Sequence, residues 1–204
     1  MKKLLVFILF STLSFAQDIQ LESGDLIFQN LSCGPLCDAI NAVTSGYDDL
    51  DFNHMGLVTK EEKELFVIEA SGKAVRKVRL DVFLNYTNAP MYVGRLKPEY
   101  KSLIPKALEF AHQQIGVPYD DVFLYDNGKY YCSELVYDAF KAAYKKPFFA
   151  LYPMTYKIPN STAYFPVWIS YFNNLKTNIP EGELGCNPGG MSKDEKIDIL
   201  GILK

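Results

Sequence analysis

Apolar and polar residues alternate over several short stretches in the first half of the chain. Residues 24–29 (GDLIFQ) alternate and then give way to a loop, which predicts a first strand. Residues 53–58 (NHMGLV) and 65–70 (LFVIEA) are apolar runs on either side of a charged segment, a pattern typical of a β-hairpin. Residues 74–80 and 91–96 continue the alternation, so we expect them to extend one antiparallel sheet.

Helical signals lie between and after these strands. A proline near the start and a glycine at the end predict helices over residues 35–46 and 102–116, with a serine as the cap of the second. Residues 132–145 carry one apolar stripe at helical spacing. A last short helix is predicted to start at Ser192, where Glu195 completes a capping box. This order of elements predicts an α+β fold, with an antiparallel sheet or barrel packed against helices.

The first 16 residues have the features of a secretory signal peptide. Lys2 and Lys3 precede a short apolar run, and Ser14 and Ala16 occupy the small-residue positions of a cleavage site. The run is too short to cross a bilayer, and no later segment is apolar enough to do so. We therefore expect an exported protein, periplasmic or secreted, whose mature chain begins at Gln17 and has no transmembrane segment.

Charge limits the classes of partner that the protein can bind, and length limits the number of domains. Without the signal peptide the chain has 19 basic and 24 acidic residues, and this acidic balance argues against nucleic acid as a partner. Residues 17–204 are enough for a single domain with its own core, and that domain includes an aromatic-rich C-terminal extension over about 145–204. We expect the aromatic side chains of that extension to serve in core or lid packing.

The chain has four cysteines, Cys33, Cys37, Cys132 and Cys186, which allow three complete disulfide pairings. An oxidising compartment permits disulfides. Cys33 and Cys37 can bridge if the local backbone brings them together. Cys132 stands at the start of a predicted helix, where the exposed N–H groups favour a thiolate, although Glu134 opposes this if it points the same way. Cys132 is therefore either a nucleophile, which leaves one other cysteine unpaired, or part of a disulfide or a buried thiol.

A thiol nucleophile requires a base, and the chain has two histidines. His112 lies in the middle of a predicted helix with no titratable partner in the pattern. His54 opens the first strand of the hairpin. If Val58 pairs with Leu65, His54 lies directly across from Glu69, and a two-residue slip would still leave a diagonal contact. Glu69 would then orient the imidazole; alternatively, it lies at a strand end and reaches solvent.

Five segments together resemble one family of enzymes. They are residues 24–28 (GDLIF), 53–58 (NHMGLV), 67–70 (VIEA), 116–123 (GVPYDDVF) and 131–137 (YCSELVY). Their joint occurrence in this order resembles the circularly permuted NlpC-type papain-like cysteine hydrolases, the YiiX/YebB/YaeF-like proteins. Ordinary papain-like enzymes have the cysteine before the histidine, whereas this chain has the order His, Glu, Cys. The resemblance implies a permuted papain-like fold.

The resemblance also implies the roles of the three residues. Cys132 is the expected nucleophile, His54 the base and Glu69 the residue that orients the histidine. The expected reaction is hydrolysis of an amide bond through an acyl-enzyme, with peptidoglycan-type peptides as one substrate class. The alternatives are an esterase or acyltransferase acting on lipid or acyl substrates, and a non-catalytic binding module. We expect no cofactor, and two separated histidines with a lone C-x3-C do not form a typical zinc site.

Overall fold

The computed structural model describes residues 19–204. The predicted signal peptide and Gln17 lie outside the described residues, so this expectation stays a prediction. In residues 19–204 no helix is both long enough and apolar enough to span a bilayer.

Eight strands form two sheets in the described residues. The strands are β1 (Leu26–Gln29), β2 (His54–Glu61), β3 (Glu64–Ser71), β4 (Ala74–Arg79), β5 (Tyr92–Leu96), β6 (Tyr152–Pro153), β7 (Leu184–Gly185) and β8 (Ile197–Ile202). Six of them form one antiparallel sheet in the order β4-β3-β2-β1-β5-β8, while β6 and β7 form a small second sheet. The predicted antiparallel sheet of an α+β fold is therefore confirmed.

Six α-helices accompany the sheets within residues 19–204. They are α1 (Pro35–Asn41), α2 (Leu80–Leu84), α3 (Ile104–Gln113), α4 (Cys132–Tyr144), α5 (Pro166–Leu175) and α6 (Pro188–Ser192). The helix α4 packs against α3 and against strands β2 and β3, and its apolar stripe joins the main core. A smaller cluster, which includes Ile27, Val58 and Phe83, covers a second part of the sheet. The sheet thus supports the helix that begins with Cys132.

The hairpin has a different register from the predicted one. Val58 pairs with Val67 rather than Leu65, because the two-residue turn lies at Glu62 and Lys63. Glu62 adopts a positive φ of 52° in this turn, as tight hairpin turns require. The shift amounts to two residues, so every side chain stays on its predicted face of the sheet.

The predicted helix from Ser192 is wrong. Helix α6 ends at Ser192, and its cap is Asn187, whose side chain accepts a hydrogen bond from the Gly190 N–H at 2.7 Å. The Ser192 hydroxyl instead donates to the Gly189 carbonyl, at 2.7 Å. The residues that follow form β8, an edge strand paired with β5. The C-terminal segment therefore completes the main sheet.

Two other helix boundaries also differ from the sequence pattern. The first helix, α1, stops five residues before the predicted Gly46. The residues around Ser102 form a 3-10 turn, Pro98–Leu103, and the α-helix begins only at Ile104 without a side-chain cap. Helices α2 and α5 and strands β6, β7 and β8 have no counterpart among the predicted elements.

Candidate active site

Cys132 is the first residue of α4, and its thiol is free. Tyr131, before it, has an extended backbone (φ −93°, ψ 170°), so the chain turns into the helix at this point. The first N–H groups of a helix have no partner within the helix, and they favour negative charge nearby. Cys132 is 7% exposed and lines a cavity, so this residue is sheltered but borders open space.

His54 and Glu69 are in direct contact. His54 Nε2 lies 2.5 Å from Glu69 Oε2, although the observed register places the two residues diagonally rather than directly opposite. The contact occupies Nε2, which leaves Nδ1 as the ring nitrogen available to a thiol. The structure therefore brings together His54 and Glu69, two of the three residues singled out from the sequence. Their contact is the diagonal one that a two-residue slip in register leaves.

Glu69 is fully buried, which contradicts the alternative in which it reaches solvent. Its second oxygen, Oε1, accepts hydrogen bonds from Arg76 Nε at 3.0 Å and from the Tyr86 hydroxyl at 2.8 Å. Burial raises the pKa of Glu69, but the hydrogen bonds and charges of His54, Tyr86 and Arg76 outweigh burial and hold this pKa below its ordinary value. Glu69 is thus an anion beside His54.

The protonation of His54 depends on both neighbours. Burial lowers the pKa of His54, but hydrogen bonding and charge from Cys132 and Glu69 outweigh burial and raise it to about 9. His54 is therefore an imidazolium at neutral pH, between a thiol group and a carboxylate. This is the charge state that favours a thiolate nucleophile.

Glu134 lies near the start of α4 in an environment that disfavours its charged form. Its side chain is buried, and burial raises its pKa to about 8. Its Oε1 accepts a hydrogen bond from the Asp126 N–H at 3.0 Å. Burial thus favours the neutral form of this carboxyl group near the start of α4, which weakens any opposition to a thiolate at Cys132.

His112 belongs to helix α3 and has an ionisable neighbour outside that helix. Its Nε2 is 3.8 Å from Glu61 Oε1, a titratable neighbour that the local sequence pattern does not contain. The reason is nonlocal, because Glu61 ends strand β2 while His112 belongs to α3. Both side chains are about one third or more exposed.

The other three cysteines form one disulfide and one buried free thiol. Cys33 and Cys37 form a disulfide across the start of α1. Cys186 is a buried free thiol, and burial raises its pKa far above the ordinary value. Its backbone N–H donates to the Tyr131 hydroxyl at 3.1 Å, and its carbonyl accepts from the Ser133 hydroxyl at 3.0 Å. These bonds tie the segment before α6 to the residues on both sides of Cys132.

A cavity of about 350 Å³ opens beside Cys132 and His54. Helix α1 and its disulfide form one side. The aromatic-rich C-terminal segment forms another through Tyr156, Trp168 and Tyr171. Phe123 packs edge-on against Trp168, with 5.8 Å between the ring centroids. Part of the expected C-terminal extension therefore forms a wall of the site.

Sequence reasoning missed Arg76 and Tyr86. Arg76 stands directly across from Glu69 in the β3–β4 pairing. The tight turn at Gly72 and Lys73, with Gly72 at a φ of 66°, is a signal that could have revealed this pair by counting outward along both strands. Tyr86 follows α2 and reaches Glu69 from a loop, so no local pattern points to it.

Known proteins resemble this chain over most of its length. The sequence model of a family described as "Permuted papain-like amidase enzyme, YaeF/YiiX, C92 family" matches residues 20–200. "Uncharacterized protein YiiX" of Escherichia coli strain K12 is 30% identical over 129 residues, which are 61% of this chain and 59% of that protein. This match thus spans about three fifths of the length of the curated relative.

A solved structure has the same fold. It is described as the crystal structure of metalloprotein yiiX from Escherichia coli O157:H7, and it matches with a TM-score of 0.71 and 22% identity. The match covers 90% of this chain and 98% of the other. Within residues 19–204, no group of three or more His, Cys, Asp or Glu side chains is arranged to hold a metal ion.

Proposed function

This chain belongs to the YaeF/YiiX family of permuted papain-like amidases, and from that premise we propose that it is a thiol amidase with the triad Cys132, His54 and Glu69. The observation that carries the proposal is the environment of His54. Its Nε2 lies 2.5 Å from Glu69 Oε2, and Cys132 contributes to the raised pKa of His54. A nucleophile, a base and a group that orients the base are the parts that a covalent hydrolase requires.

The reaction proceeds through an acyl-enzyme. The Cys132 thiolate attacks the amide carbonyl, and the backbone N–H of Cys132 stabilises the oxyanion of the tetrahedral intermediate. The His54 imidazolium gives its proton to the leaving amine as the C–N bond breaks, which leaves a thioester on Cys132. Neutral His54 then takes a proton from water as the water attacks the thioester. The acid is released, and the thiolate and imidazolium are restored.

The cavity supports a substrate with an apolar group next to the scissile bond. Leucine, isoleucine and aromatic side chains line it, and Asp121 is the one carboxylate among the described lining residues, which include no lysine or arginine. An apolar acyl chain or side chain gains from burial in such a site. Small peptides with an apolar residue at the cleaved bond therefore fit better than peptides rich in carboxylates, and cell-wall peptides are substrates to be tested on this basis.

The same lining favours a second candidate activity, the hydrolysis or transfer of acyl esters. A thiolate attacks an ester by the same route, and an alcohol then leaves in place of the amine. The aromatic wall from Tyr156, Trp168 and Tyr171 is the observation that supports an acyl chain as the bound group.

Two measurements test the proposal. Native protein treated with iodoacetamide at pH 7 should be alkylated rapidly at Cys132 and slowly at Cys186, which serves as an internal control because it is buried and its pKa is raised. Turnover is then compared on acyl amides, on esters with the same acyl groups and on cell-wall peptides. Slow alkylation of Cys132 would contradict the triad, and turnover of esters alone would favour the second candidate.

Export is part of the proposal. The signal-peptide pattern of residues 1–16 and the disulfide between Cys33 and Cys37 both support an oxidising compartment outside the cytoplasm. Expression of the full chain should yield a periplasmic or secreted product whose N-terminal residue is Gln17. A product retained in the cytoplasm with its first 16 residues intact would contradict this.

A further inference from the structure

Glu69 needs a positive charge that does not change during the reaction. In the proposed cycle His54 alternates between imidazolium and neutral imidazole, so it cannot neutralise Glu69 throughout. A fully buried carboxylate without a counter-charge tends to take up a proton, because burial disfavours its charged form. In the half of the cycle in which His54 is neutral, another group must keep Glu69 ionised.

Arg76 meets this requirement. It lies opposite Glu69 in the β3–β4 pairing and donates from Nε to Glu69 Oε1 at 3.0 Å. A guanidinium carries a permanent positive charge in proteins. The same carboxylate oxygen accepts from the Tyr86 hydroxyl, and burial together with Glu69 raises the pKa of Tyr86 to about 12, so this hydroxyl keeps its proton.

Arg76 and Tyr86 also hold each other. Arg76 Nη2 donates to the Tyr86 hydroxyl oxygen at 2.8 Å and to the Ser71 hydroxyl oxygen at 3.3 Å. Both donors to Glu69 thus converge on Oε1 and leave Oε2 to His54 Nε2. The arrangement fixes the rotation of the carboxylate as well as its charge.

We propose that Arg76 and Tyr86 are positioning residues that keep Glu69 anionic and turn its Oε2 toward His54 throughout catalysis. The inference rests on the proposed function for its catalytic meaning. The ionisable groups that face Glu69 in the described residues are His54 from β2, Arg76 from β4 and Tyr86 from the loop after α2. Removing Arg76 should therefore raise the pKa of Glu69, while His54 continues to lower it.

The test uses the imidazole of His54 as a spectroscopic reporter. NMR signals of the His54 ring are followed in acid, where a step marks the protonation of Glu69. In the wild type the step should lie below the ordinary glutamate range. In Arg76→Met the step should move up by about one pH unit. This is the lower end of what a nearby opposite charge contributes, and it is expected because Arg76 is partly exposed. Arg76→Lys should restore part of the shift.

Arg79 provides the matched control on the same strand. Its side chain pairs with exposed Glu64 and Asp81 rather than with Glu69, so Arg79→Met should leave the step unchanged. Tyr86→Phe removes a neutral donor and should move the step in the same direction by less than Arg76→Met. If Arg76→Met does not fold, the step in Tyr86→Phe tests the positioning role.

An unchanged step in the folded variants would overturn the inference, and so would equal shifts in Arg76→Met and Arg79→Met. These results are separate from the proposed function, since the NMR step requires no turnover. If Cys132 resists alkylation in the wild type, the triad fails whatever the NMR shows. If Cys132 reacts rapidly but the step does not move, the positioning role alone fails.

Discussion

Strand β2 has a glutamate–histidine pair at each end, and the two pairs differ in nearly every respect that matters for chemistry. At the start, His54 contacts fully buried Glu69 at 2.5 Å. At the end, Glu61 faces His112 across 3.8 Å, with both side chains substantially exposed. The same two residue types thus form a tight buried pair at one end of the strand and a loose surface pair at the other.

The difference lies in what surrounds each pair. His54 has Cys132 on its other side, and Glu69 has Arg76 and Tyr86. Glu61 instead forms its short contact with Lys77, at 2.6 Å, so His112 is a secondary neighbour in an exposed ion pair. Water screens the exposed pair, whereas burial makes the other pair both costly and specific. A glutamate next to a histidine indicates function only where burial and a third group accompany it.

The largest expected effect separates the two histidines. His54→Ala should reduce amide turnover by about 10⁴-fold, since it removes the group proposed as general acid and general base in both steps. It should also slow the alkylation of Cys132 at pH 7, because the imidazolium no longer favours the thiolate. His112→Ala should change neither rate. Comparable losses in both variants would mean that the buried pair has no special role.

The second prediction compares the two glutamates through the pKa of His54. Glu69→Gln removes an anion that raises this pKa, so His54 should lose its proton well below the wild-type value of about 9. At a pH between the two pKa values of His54, this side chain is an imidazolium in the wild type and neutral in Glu69→Gln. The expected cost in turnover at pH 8 is on the order of 100-fold.

Glu61→Gln is the control for this titration, which NMR of the two histidine rings can follow separately. Glu61→Gln should leave the pKa of His54 unchanged, because Glu61 is at the other end of β2. A His54 pKa that stays near 9 in Glu69→Gln would show that Cys132 alone accounts for the raised value, and the comparison between the two pairs would then lose its basis.

The contrast between the pairs also shows what the sequence could predict. Alternation revealed the hairpin and the face on which His54 and Glu69 lie, and a two-residue error in register left that face unchanged. The error arose because three glutamates and two lysines surround the turn, and nothing local favours one turn position over the next. Diagonal contact survived because long side chains reach across that distance.

Other parts of the site depend on contacts that no local pattern contains. Tyr86 reaches Glu69 from a loop, and Glu61 meets His112 only because α3 packs beside the sheet. The capping-box signal at Ser192 and Glu195 concealed strand β8, since the Ser192 hydroxyl bonds within α6 instead. The aromatic wall follows from the path of residues 152–175 over the cavity, which tertiary packing determines.

The smallest expected effect concerns the exposed pair itself. Glu61→Gln should lower the free energy of unfolding by less than about 1 kcal/mol, because exposed ion pairs contribute little and salt screens them. The loss should come mainly from the contact with Lys77, so Lys77→Met should cost about as much, and His112→Ala less. Urea unfolding of the three variants at low and high ionic strength measures this. Differences from the wild type that stay large in high salt would mean that this end of β2 is coupled to the core, and the two ends of the strand would then be more alike than their exposure indicates.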